Sequence, residues 1–241
     1  MPNWFVGFLT ALTLLIGTTV STFATENVDL ELVLAADGSG SIDDAEFELQ
    51  RRGYAAAITN PRVLAAITGG IHQAIAITYV EWAAPDSVAT VVGWHMIHDA
   101  KSAKAFADKL VKAPRMVDGY NSISAAILYG VNEIEKNAYS GIRKIIDISG
   151  DGPQINGPPL PFARNYALSK GITINAIAID TPYDPRTGPN GEPLAVHYKN
   201  DVIGGQSPFV LVAKGRKDLA KAILRKLILE IAARPTSDVT P

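Results

Sequence analysis

From Val28 onward, hydrophobic positions come in two alternating rhythms. Val28 to Ala36 (VDLELVLAA) starts with polar alternation and becomes continuously apolar, the pattern of a central parallel strand. Asp43 to Thr59 follows, with Phe47, Tyr54 and Ile58 on a helical repeat and Ser41 or Asp43 available as a cap. Asn60-Pro61 breaks this helix, and a short helical turn reaches Ile67. Gln73 to Trp82 and Val88 to Met96 read as two further strands, the second antiparallel to the first. Helices are expected over 102–112 and 122–136, separated by a loop at 113–121. A strand over 143–149 then alternates with a helix at 160–170, a strand at 171–179, a strand at 208–213 and a closing amphipathic helix at 218–232.

Strands alternating with helices predict an α/β fold: a doubly wound, mostly parallel sheet with helices on both faces and right-handed crossovers. The stretch from Asp180 to Ser207 does not fit either rhythm. It holds Pro182, Pro185, Gly188, Pro189, Gly191 and Pro193 and is too long for a plain connection, which marks it as a lid or insertion.

The ends differ from the middle. Trp4 to Val20 is almost wholly apolar, and Thr22 and Ala24 supply small residues before a cleavage point near Thr25. Residues 1–24 are therefore expected to be a secretory signal peptide or, if retained, an N-terminal membrane anchor. No Lys or Arg precedes Arg51, so the amino terminus alone carries the positive charge of that segment. One domain is expected over 25–233, followed by a flexible polar tail at 234–241.

Composition narrows the function. Hydrophobic residues make up 47% and charged residues 19% of the 241, enough apolar content for a sizeable core. The net charge is -2 and no basic block stands out, which disfavours a nucleic-acid partner. With no cysteine, disulfides, thiolate zinc sites and cysteine nucleophiles are excluded.

In a doubly wound sheet, ligands bind beyond the carboxyl ends of the strands. Asp37 and Asp151 lie at two such ends. The first loop, Asp37-Gly38-Ser39-Gly40-Ser41, adds hydroxyls at alternating positions. Carboxylate and hydroxyl oxygens without His or Cys suit a hard cation, Mg²⁺ or alternatively Mn²⁺ or Ca²⁺. The competing reading is a turn and helix cap built from small polar residues.

At these residues a family resemblance enters. Asp-x-Ser-x-Ser at the end of a buried first strand resembles the metal-ion-dependent adhesion site of von Willebrand factor A domains. Asp37, Ser39 and Ser41 match its first part and Asp151-Gly152 its third. The second part, usually Gly-x-Thr, falls at Gly119-Tyr120-Asn121-Ser122, so either Asn121 or Ser122 takes the threonine's place. Within this class the chain most resembles an uncharacterised family of exported bacterial proteins. They share the Ser-Gly-Asp-Gly-Pro and Gly-Ile-Thr-Ile-Asn stretches seen at 149–153 and 171–175.

The resemblance implies a cation whose last coordination position is filled by an acidic residue of a protein partner, with Asp43, Tyr120 and Gly152 at the binding rim. It places the protein in the periplasm or outside the cell, or on the membrane if the first segment stays. Two alternatives stand beside it. One is a structural subunit of an envelope complex. The other is a metal-assisted hydrolase, which would need a base such as His197 or Asp184 from the long loop. No Gly-x-Ser-x-Gly elbow and no Walker loop occurs. Asp147, inside a strand, reads as a structural carboxylate. His95 and His98 read as surface or packing residues, His72 and His197 have no obvious partner, and Trp82, Trp94 and Tyr79 read as core.

Overall fold

The computed structural model describes Met1 and residues 25–181 and 185–233; the expectations for the N-terminal segment, for Asp184 and for the C-terminal tail lie outside the described residues. Among the described residues, six strands form one sheet in the order β3-β2-β1-β4-β5-β6. They are β1 (Glu26–Asp37), β2 (Ile75–Trp82), β3 (Val88–Ile97), β4 (Tyr139–Gly150), β5 (Thr173–Asp180) and β6 (Val210–Lys214). β1 pairs in parallel with β2 and β4, as β4 does with β5 and β5 with β6. β3 alone is antiparallel, against β2. The doubly wound, mostly parallel architecture expected from the sequence is the one observed. Among the described residues no helix is long and apolar enough to cross a membrane.

The helices cover both faces. Against one face lie α1 (Asp44–Ile58), α2 (Pro61–Thr68), α3 (Ala100–Lys112) and α7 (Arg216–Ala232). Their apolar side chains meet Leu30, Leu32 and Leu34 of β1. Against the other lie α4 (Ile123–Lys136), α5 (Leu160–Ser169), α6 (Leu194–His197) and a π-helical turn (Tyr198–Val202). These pack on Val33 and Ala35. Successive residues of a strand point to opposite faces, so a strand covered on both sides is apolar wherever a side chain has no polar partner. That is why β1 and β2 are mostly apolar, and why such buried exceptions as Glu31, Thr78 and Glu81 are each hydrogen-bonded. Tyr79 and Trp82 are fully buried as expected, while Trp94 is only half-buried on the edge strand.

The starts of β1 and β4 differ from the pattern reading in a way that has a visible cause. β1 begins at Glu26 and β4 at Tyr139, because their polar first residues pair with each other, Glu26 opposite Tyr139. The buried Glu31 carboxylate holds this start together, accepting from Gly141 N (2.7 Å) and Asn137 Nδ2 (2.7 Å). Pairing with a neighbour decides such positions, whatever their own propensity. The 180–207 stretch contains α6 and the π-helical turn, and its end returns to the sheet through a bridge between Gly204 and Ile174.

Between β1 and β4 the strand order reverses: the chain runs outward through β2 and β3, then returns to the other side of β1. A crevice opens beyond the carboxyl ends at such a reversal. Asp37 is the last residue of β1, and Asp151 directly follows β4.

Candidate metal centre

Asp37 has no exposed surface. Its Oδ1 accepts from Ser39 N at 2.8 Å, and its Oδ2 accepts from Asn121 Nδ2 at 2.9 Å. Its main-chain carbonyl accepts from Gln50 Nε2 of α1 at 2.9 Å. The hydroxyls of Ser39 and Ser41 are 3.1 Å apart, and Ser41 donates to Asp151 Oδ1 at 2.8 Å. Five of the six residues expected to ligate the cation therefore form one connected group of oxygens and one amide.

The sixth does not join them. The Ser122 hydroxyl caps α4, accepting from Ala125 N at 3.4 Å, and lies 3.5 Å from Ser124 Oγ. Of the two residues that could stand for the threonine, Asn121 is the one brought to Asp37. Its neighbours fix its direction: Ser122 N donates to Ala83 O (2.8 Å), while Asn121 O accepts from Ile155 N (3.0 Å). Thus the loop before α4 is stitched to the end of β2 on one side and to the loop after β4 on the other.

The first loop is held from outside by Arg115. Its Nη2 donates to the carbonyls of Gly38, Ser39 and Ile42 at 2.8, 3.0 and 3.0 Å. Its guanidinium lies over the Phe47 ring, 4.7 Å from the centroid. One cation on three carbonyls fixes the backbone that presents the two serines. Nothing in the local sequence marks Arg115 for this task, since it lies in a loop far along the chain. Gly150 is needed for space: a Cβ there would sit 3.0 Å from Asp37 Oδ2 and 2.8 Å from the Tyr198 hydroxyl.

The rim differs in part from expectation. Asp43 is exposed and closes a capping box with Glu46, and Tyr120 is 75% exposed. Gly152, by contrast, is buried, because the π-helical turn covers it and Tyr198 donates to its carbonyl at 2.9 Å. Ile155, 54% exposed, stands beside Asn121 in its place. His197 has partners that sequence reading did not find: its Nδ1 is 2.8 Å from Asp201 Oδ2.

The donor set fits a divalent cation. Burial, and then the charge of Asp151, push the Asp37 carboxyl up to about 7. Burial also raises Asp151. Two carboxylates that resist ionising together are stabilised by a cation between them, and the surrounding oxygens are the ligands Mg²⁺ accepts. Asp37, Ser39, Ser41 and Asp151 would hold it, and Asn121 would join them only through its amide oxygen, since its Nδ2 is the atom turned to Asp37. Such a cation would supply a fixed positive charge for a further oxygen ligand to meet.

A pH dependence follows. Cation and proton compete for Asp37, so Mg²⁺ affinity should fall as pH drops through 7, by about tenfold per unit for one displaced proton, and level off above 8. Calorimetric titration at pH 6, 7 and 8 checks this; an affinity flat across that range would contradict it.

The fold is of the von Willebrand factor A type, with Asp37, Ser39, Ser41 and Asp151 gathered at the reversal of its sheet. The chain belongs to the family described as "Protein of unknown function (DUF1194)", whose model matches residues 27–235. No curated protein matches. Among solved structures, the pilus adhesin SpaC of Lactobacillus rhamnosus GG superposes with a TM-score of 0.61 at 13% identity, over 85% of this chain and 31% of its own. A von Willebrand factor type A protein from Catenulispora acidiphila gives 0.60 at 15%, over 85% and 43%. Proximal thread matrix protein 1 of the mussel byssus, in a form with a zinc-occupied MIDAS motif, gives 0.57 at 14%, over 85% and 46%. The chain thus spans less than half the length of these relatives, and the likeness is one of fold.

Proposed function

We propose that this chain is an exported, metal-dependent protein-binding module of the cell envelope. Mg²⁺ is held by Asp37, Ser39, Ser41 and Asp151, joined by Asn121 through its amide oxygen, and a partner's Asp or Glu side chain completes its coordination. The observation that carries this reading is the linking of two buried carboxylates through Ser39 and Ser41 at the reversal of the sheet, with Ser39 N donating to Asp37 and the hydroxyl pair leading to Asp151. Exposed Tyr120, Ile155 and Asp43 give that site a rim on which a protein surface can rest. Desolvating a charge pair inside a rim of this kind concentrates affinity at one point.

The reading favours binding over hydrolysis. His197, the base a hydrolase would recruit, is 2% exposed, meets Asp201 through Nδ1 and makes no hydrogen bond to Asp37 or Asp151, while Tyr198 beside it donates to Gly152 O. The N-terminal apolar segment supports export, and the pilus adhesin among the structural relatives is in keeping with an envelope role.

A displayed peptide library panned on the protein tests the proposal. Selected peptides should share an Asp or Glu, bind in Mg²⁺, and be released by EDTA. Replacing that acid with its amide should abolish binding. Peptides that hold equally well in EDTA would overturn the reading.

A further inference from the structure

The β5–β6 connection contains a second group of metal-ligating side chains, separate from the first. A bridge between Thr187 and Pro193 folds this segment back on itself, with Gly188 N donating to Glu192 O at 2.8 Å. The turn lays the Glu192 carboxylate over Gly188 so closely that a Cβ there would meet Glu192 Oε1 at 2.1 Å and His197 Cβ at 2.7 Å. α6 then runs straight into the π-helical turn, which sets His197 and Asp201 four residues apart on one side.

His197 Nδ1 lies 2.8 Å from Asp201 Oδ2 and 3.8 Å from Glu192 Oε1. One ligand atom from each of the three falls within 4.8 Å of the others. The imidazole is 2% exposed, and its Nε2 has no hydrogen-bond partner among the described residues. Asp201, with its side chain 48% exposed, opens the group to solvent.

Charge and donor type point the same way. A neutral imidazole and two carboxylates carry two negative charges, which one proton on the ring only halves and one divalent cation cancels. A nitrogen with two carboxylate oxygens is a borderline-soft set of three protein ligands, the number that leaves a zinc ion one open position. The first centre, all oxygen and amide, has a different preference. A π-helical turn is also an uncommon element that recurs at functional sites.

We propose that Glu192, His197 and Asp201 form a second divalent-cation site, of Zn²⁺ class, that braces the β5–β6 connection. This does not depend on the Mg²⁺ reading of the first centre. Its place in the fold gives it a consequence there, because Tyr198, next to His197, donates to Gly152 O and crowds Gly150. An ion at 192–201 tightens the element on which the loop after β4 rests.

Titration of the chelator-stripped protein with Co²⁺, whose visible spectrum reports nitrogen ligation and coordination number, tests the proposal. The Asp37→Ala protein should still bind one equivalent with a low-coordinate spectrum, displaced by Zn²⁺. Asp201→Asn, at a half-exposed position, should weaken that binding at least tenfold while leaving the Mg²⁺ titration unchanged. His197→Gln should remove the nitrogen signature. Failure of the first centre would show instead as absent Mg²⁺ binding in the unaltered protein. Co²⁺ binding that survives both Asp201→Asn and His197→Gln would come from other histidines and overturn the proposal. So would no binding in Asp37→Ala, which would leave the three residues an ion-paired brace and nothing more.

Discussion

Replacing Asp37 with alanine is expected to abolish Mg²⁺ binding and, in the absence of metal, to stabilise the fold. Asp37 offers a carboxylate at the junction of the first loop, Asn121 and Asp151. Groups that merely orient metal ligands are worth 10–100-fold in affinity, so loss of a charged ligand should exceed about 100-fold. The opposite sign for stability comes from burial. Asp37 titrates near 7 in the fold against 3.8 when free, so the folded chain holds the proton more tightly. Its stabilising protonated form is therefore lost as pH rises between those values, and above 7 the full penalty of the buried charge is present. Removing the carboxylate at pH 8 should raise metal-free stability by roughly 1–3 kcal/mol, the Asp37 hydrogen bonds offsetting part of the gain. Calorimetric titration and denaturant melts in EDTA at pH 8 measure the two effects. Mg²⁺ binding retained within tenfold would remove Asp37 from the site.

That trade of stability for binding explains which parts of the molecule could be read in advance. The strands declared themselves because a sheet covered on both faces favours long, mostly apolar runs, and glycine and aspartate stand at several of their ends. Asp37, Ser39, Ser41 and Asp151 were legible for a related reason. Each sits at a strand end where the fold's own logic puts a ligand, and the first three are neighbours in sequence.

What lay further apart was less legible. Choosing between Asn121 and Ser122 requires knowing that Ser122 caps α4, and that depends on where the helix starts by one residue. Arg115 clamps a loop more than 70 positions earlier through carbonyl oxygens, which every residue possesses. His197 and Asp201 have helical spacing, but they follow a stretch dense in proline and glycine, where no helical rhythm precedes them. Gly152 looked like a rim residue until the insertion was seen to cover it.

The least legible feature is the buried ion cluster beneath the first centre, and its disruption should have the largest effect on stability. Lys226 of α7 is wholly buried, as is Asp147 of β4, and Glu230 is nearly so. The lysine ammonium contacts both carboxylates. Asn175 Nδ2 donates to Glu230 Oε1 at 3.0 Å, and Asn175 Oδ1 accepts from Phe209 N at 3.1 Å. Asp147 did read as a structural carboxylate, but nothing in Leu224-Arg225-Lys226-Leu227 tells the buried cation from its exposed neighbour. Burial pushes Asp147 up to about 7 even with Lys226 pulling it down. Without the lysine, two buried carboxyl groups lose the ammonium they share. Lys226→Ala should therefore lose about 3–5 kcal/mol, the usual result of removing one partner from a buried pair. The loss should shrink in acid. With its cation gone Asp147 titrates higher still, so the folded variant keeps protons that the unfolded chain releases above about 4, and its stability falls as pH rises from there through 7. Replacing all three charges with apolar residues of similar volume should recover most of the loss, because then no buried charge is left unpaired. Urea melts of the two variants at pH 5 and pH 8 separate these cases. A single substitution costing under 1 kcal/mol at pH 8 would mean that water reaches the cluster and that α7 is held by its apolar face alone.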